Sequence, residues 1–248
     1  MFTSKQQLIG GMGVDPEIAA FFVDRNVPKD NRYWKGRYLY VARGTGYLFI
    51  PLFFDLQLRA GIAKDDILDS SYVIIMERIL DYAAKFEFGE INFTDQIAAI
   101  HSMIEPLAKH KWLLDDLREY FKGEPLKATA NLGLENSSLN RGDALLYLLC
   151  VNPAPAELIK KVIEYWYLLV PSFLLLDDIM DFNEDRQHQE ENALSYYGYD
   201  AAGVSKAVEA VEKNFKALED INPLLGEFFR STLEQKKKTP YFQHILNN

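Results

Sequence analysis

The run from Trp166 to Leu176 carries no charge and is apolar on nearly every side, and it ends directly in Asp177, Asp178 and Asp181. A helix that is apolar all round belongs in the middle of a core, so the rest of the chain has to fold around this one. Carboxylates at positions i, i+1 and i+4 place Asp177 and Asp181 one turn apart, with Asp178 beside them. The three are expected to share one narrow sector. Like charges so close repel, and they sit at the negative end of the helix dipole if the helix stops there. A hard divalent cation such as Mg2+, which takes carboxylate oxygens and keeps water and phosphate ligands, offsets that repulsion. The plainer alternative is a helix end running into the solvated acidic stretch Asn183-Glu184-Asp185-Arg186, and it offers nothing to offset the charge.

At 248 residues the chain is long enough to bury a sizeable core, and a single domain spanning residues 1–248 is expected, since no linker divides it. A content of 48% hydrophobic and 13% aromatic residues excludes a disordered chain. The net charge of −9 argues against a nucleic-acid backbone as partner. It leaves room for a phosphate-bearing substrate only where metal ions supply positive charge. One cysteine, Cys150, allows no internal disulfide and fits a reducing cytoplasm. Met1 to Gln7 lacks the pattern of a signal peptide, and Glu164 and Pro171 interrupt the best apolar stretch, so no integral membrane segment is expected. A cytoplasmic location follows as the expectation.

Helix signals dominate the order of the chain. Asp15-Pro16-Glu17 joins a capping residue to proline at the first helical position. Leu52 to Arg59 reads as a helix stopped at Gly61. A long helix is expected to open at Ala63 and reach Phe88-Gly89. Asp65, Asp66 and Asp69 spell an Asp-Asp-x-x-Asp pattern near its start, where acidic residues cap and stabilise a helix N-terminus; a cap is the better reading. Further helices are expected from Phe93, around Trp112 to Phe121, from Gly142 to Cys150, from Glu157 to Phe182, from Ala201 to Leu218 and from Asn222 to Glu234. Residues 123–141 read as a loop or lid. No segment alternates with period two between hairpin turns, so the fold class is all-α.

The stretch Leu174 to Asp185 resembles the second aspartate-rich motif of the trans-prenyl diphosphate synthases, in the class I isoprenoid synthase family. Gly44 to Pro51 is similar to that family's glycine–proline segment, and the helix carrying Glu77 to the one ending in its first aspartate-rich motif. The resemblance implies an isoprenoid synthase-type bundle of long helices around a deep apolar cavity, usually as a homodimer. It implies Mg2+ held by Asp177, Asp178 and Asp181, with Asp185 extending the acidic face. At the first motif's place stand Lys85 to Glu90, so Glu87 and Glu90 are the facing ligands it implies, without the doubled aspartate. Tyr47, Leu48 and Ile50 replace the family's basic residues for isopentenyl diphosphate. Lys35, Arg37 and Arg43 are near enough in sequence to substitute. Lys237, with Lys236 and Lys238, would close over a diphosphate, although a solvated charge run is the plainer reading. The implied activity is ionisation of an allylic prenyl diphosphate. Chain elongation with a rebuilt basic site, and a non-catalytic regulatory subunit, stay open beside it.

Overall fold

The computed structural model describes residues 4–26, 29, 49–124 and 131–246. Among them the chain is helical throughout, with no strand. After a π-helical turn at Gln7–Gly11 come α1 (Pro16–Asp24), α2 (Phe49–Ala60), α3 (Lys64–Ile67), α4 (Ser70–Glu87), α5 (Phe93–Ile104) and α6 (Lys111–Lys122). A 3-10 helix over Asp143–Val151 leads to α7 (Ala156–His188), followed by α8 (Ala201–Ile221), α9 (Pro223–Lys237) and α10 (Pro240–Leu246). No helix of the described residues is long and apolar enough to cross a membrane.

Two packing centres organise these helices. The 33-residue α7 lies against α2 and α8, and α8 against α9; α4, α5 and α6 surround the 3-10 helix. Trp166, Leu169, Ile179 and the preceding Ile159 and Val162 of α7 are fully buried, as an apolar run with no polar face requires. Phe53 of α2 meets the Trp166 ring edge-on at 4.9 Å, and the Trp166 indole joins the two centres by donating to Asp143 of the 3-10 helix at 2.9 Å.

Several boundaries follow from named caps. The Asp15 side chain accepts from the amides of Glu17 and Ile18 and starts α1, as its sequence predicts. Gly123, at φ +73°, ends α6 in the left-handed conformation expected of a helix stop. The long helix expected from Ala63 is instead two, because Asp69 accepts from the amides of Ser71 and Tyr72 and starts α4 afresh. The segment 143–151 winds as a 3-10 rather than an α-helix, and all nine of its residues are buried. With no solvent face, its backbone is set by the helices packed on every side.

One buried node ties the segment before α1 to α2 and to the junction of α8 and α9. Asp55, 1% exposed, accepts from the Asp15 amide at 2.8 Å, Arg59 Nε at 2.6 Å and Asn222 Nδ2 at 3.2 Å. Arg59 also donates to the carbonyls of Gly13 and Ile221. Asn222 caps α9 through the Leu225 amide and donates to the Met12 carbonyl at 3.0 Å. Gly13 has φ +67°, and a Cβ there would lie 2.4 Å from Asn222 Oδ1, so both the conformation and the space demand glycine. Replacing Asn222 by Ala removes a cap and strands a buried acceptor, and is expected to cost about 2 kcal/mol in urea unfolding. A loss below about 0.5 kcal/mol would show that the node is incidental to stability.

Candidate functional site

The aspartate-rich end of α7 remains helical beyond Phe182 to His188, with Gln189 left-handed at φ 58°. That extension puts two side chains on each of two faces. Asp177 and Asp181 are exposed and line a cleft of about 330 Å³ with Phe173, Leu176, Met180 and, from α9, Phe228, Phe229 and Lys236. Asp178 points elsewhere and is only 5% exposed. The three carboxylates therefore do not share one sector, as their spacing had suggested. The 100° step between residues 177 and 178 carries Asp178 from the cleft to a buried interface.

Asp178 is satisfied internally. Nη2 of Arg141 donates to both of its oxygens, at 2.7 and 2.6 Å, and the Ala193 amide donates to Oδ2 at 2.7 Å. Burial pushes the Asp178 carboxyl above the ordinary range, against the pull of Arg141 and of the Ala193 amide. Arg141 is oriented in turn by its own Nε donating to the Ser138 carbonyl at 2.8 Å. Asp185, two turns further along, takes the Asn192 side-chain amide at 2.7 Å, and the same Nδ2 donates to the Asp178 carbonyl at 2.7 Å. Asn192 also caps the short turn Ala193–Tyr196 through the Leu194 amide. Asp178 and Asp185 thus fasten the strand of chain that follows α7, and both have protein partners in the places where the sequence reading gave them metal.

Among the described residues no group of three or more His, Cys, Asp or Glu side chains is arranged to hold a metal ion. Glu87 and Glu90 lie exposed at and just past the end of α4. Lys237 faces away from the cleft: its Nζ lies 2.6 Å from Glu212 and 2.9 Å from Glu234. Its neighbour Lys236 lines the cleft instead, and has no ion pair among the described residues. Lys35, Arg37 and Arg43 lie outside the described residues.

The second Asp-Asp-x-x-Asp stretch divides similarly. Asp69 is the cap of α4, and hydrogen bonds from the Ser71 hydroxyl and the Tyr72 amide hold its carboxyl below the usual range. Asp65 and Asp66 fall in the four-residue α3.

Sequence reasoning missed Arg141 and Asn192. The motif Glu191-Asn192-Ala193 does carry a capping signal, but no local spacing connects residue 141 to residue 178. Replacing Asp178 by Ala leaves Arg141 facing a buried gap and is expected to cost about 2 kcal/mol in urea unfolding, discounted for the partial exposure of Arg141. Asp177→Ala and Asp181→Ala, on the exposed face, are expected to cost under about 1 kcal/mol each. Equal losses at all three positions would refute the division into faces.

No family model matches this chain, and no curated protein or solved structure matches it.

Proposed function

We propose that the chain is a Mg2+-dependent enzyme that ionises an allylic prenyl diphosphate and releases pyrophosphate, acting in the cytoplasm as a homodimer. The observation that carries this reading is the cleft beside α7. It sets two carboxylates, one turn apart, against an apolar wall of Phe173, Leu176, Met180, Phe228 and Phe229, with Lys236 in the same lining. Such a lining suits a ligand with a highly charged head and an unsaturated hydrocarbon tail.

The donor set fits the metal. Mg2+ commonly uses only one or two protein carboxylates and completes its shell with water and substrate phosphate, so Asp177 and Asp181 suffice without Asp178. Glu87 and Glu90 are the further ligands that the resemblance implies. When bound, Mg2+ supplies neutralisation of the charge that develops on a departing diphosphate.

The chain's own residues do the rest. Lys236 attracts the anionic head and helps hold it at the carboxylate end of the cleft. The phenylalanine wall excludes water from the tail, and the ring faces favour the positive charge left on an allylic carbon. Asp178, tied to Arg141, fixes the rotation of α7 and so aims Asp177 and Asp181 into the cleft; it is a positioning residue.

A non-catalytic role is the second reading, and the commitment of Asp178 to Arg141 is the observation that favours it. Pyrophosphate release from geranyl, farnesyl and geranylgeranyl diphosphates, with and without isopentenyl diphosphate, separates the two. Release that needs Mg2+ but no isopentenyl diphosphate, and falls by about 100-fold or more in Asp177→Ala, is the expected outcome. Release only with isopentenyl diphosphate means elongation. No release in any mixture rejects the enzyme and leaves the second reading.

A further inference from the structure

Asp143 is a carboxylate buried among neutral donors. It is 0% exposed and no cation is paired with it among the described residues. Trp166 Nε1 donates to Oδ1 at 2.9 Å, and the hydroxyls of Tyr120 and Tyr167 both donate to Oδ2 at 2.8 Å. These groups come from α6 and α7. Helices α4 and α5, packed on the same 3-10 helix, bring no titratable side chain into hydrogen-bond contact with it among the described residues. Arg141, two residues upstream, is turned to Asp178.

The cluster holds the segment 131–141 in place. The Gly133 amide donates to the Tyr167 hydroxyl at 2.7 Å, and Gly133, at φ +80°, lies so close to Tyr120 that a Cβ would meet its ring at 2.7 Å. The segment is closed on itself by Asn140, which bonds both the amide and the carbonyl of Leu134. It is fastened to the strand after α7 by Asn136, whose Nδ2 donates to the Ala193 carbonyl at 2.9 Å. Its last residue is Arg141, the partner of Asp178.

We propose that Asp143 is a proton-responsive clasp for the segment 131–141, which docks most firmly when the carboxyl is neutral and loosens as the carboxyl ionises. The chemistry follows from the donors. Trp166 N–H can only donate, so a proton on the carboxyl goes to Oδ2, where one tyrosine hydroxyl reverses and accepts. A hydroxyl has lone pairs for this, and the neutral form loses little. The ionised form keeps three donors but carries an unpaired charge out of water. Lifting the segment lets water reach that charge past Tyr120 and Tyr167. Burial pushes the Asp143 carboxyl from 3.8 up to about 6, with Trp166, Tyr120 and Tyr167 pulling it down. A carboxyl raised on docking stabilises the docked form fully below its free value, and that contribution is lost as pH rises through about 6. The clasp is independent of what binds at the α7 cleft.

Amide hydrogen exchange on the full chain at pH 5.0 and 7.5 tests this. Each rate in residues 131–141 is divided by the rate of the same peptide in Asp143→Asn at the same pH, which cancels intrinsic exchange. Protection relative to that variant is expected to fall by about tenfold or more from the lower to the higher pH, since each unit of pKa difference is worth a factor of ten. Peptides of α8 should not change. Tyr120→Phe removes one donor from the carboxylate while leaving it ionisable, so it should move the midpoint of the loss to higher pH. This second variant, read against wild type, serves if Asp143→Asn does not fold. A pH-independent ratio, an equal change in α8, or an unmoved midpoint in Tyr120→Phe would each overturn the clasp.

Discussion

The contact between Arg141 and Asp178 is the interaction on which the candidate site depends. It joins the start of the 3-10 segment to the aspartate-rich end of α7, and the Ala193 amide completes the carboxylate's shell. A carboxylate this buried is tolerated only with such partners. Because it is held, α7 cannot rotate freely about its axis, and Asp177 and Asp181 are kept on the face turned to α9. Asp185 and Asn192 repeat the arrangement two turns later, and the helix runs past Phe182, its expected end, to His188.

The same economy runs through the molecule. Asp55, Asp143 and Asp178 are all nearly inaccessible, and each accepts from donors that come from distant parts of the chain. Asp55 and Asp178 each have an arginine; Asp143 has two phenols and an indole in its place. Without a positive neighbour among the described residues, Asp143 has only neutral donors to set against its burial, which pushes its carboxyl up to about 6.

Much of the fold was legible in the sequence, because helix boundaries are local. Asp15-Pro16, Gly61, Gly123 and Asn222 mark ends that a reader can find from capping chemistry and backbone conformation alone. The all-α class followed from the same signals. What local pattern does not contain is the direction of a side chain on an all-apolar helix. With no polar face on Trp166 to Leu176, periodicity gives no phase, so which side of α7 meets the cleft and which meets Arg141, 37 residues from Asp178 in sequence, is set by packing. The Lys236–Lys238 run is open for a related reason: which lysine faces the cleft depends on the pairing of Lys237 with Glu212 of α8. The 3-10 winding of 143–151 likewise comes from packing on all sides and not from its residues.

The central claim is that the aspartate-rich end of α7 has one face for structure and one for a ligand. Crystals grown with Mn2+ in place of Mg2+, together with an unreactive prenyl diphosphate analogue, test it through the anomalous signal of the metal. The account predicts a peak beside Asp177 and Asp181 on the α9 side, with Arg141 still bonded to Asp178. A peak coordinated by Asp178 with the Arg141 contact broken, or no metal at this end of α7, would contradict it.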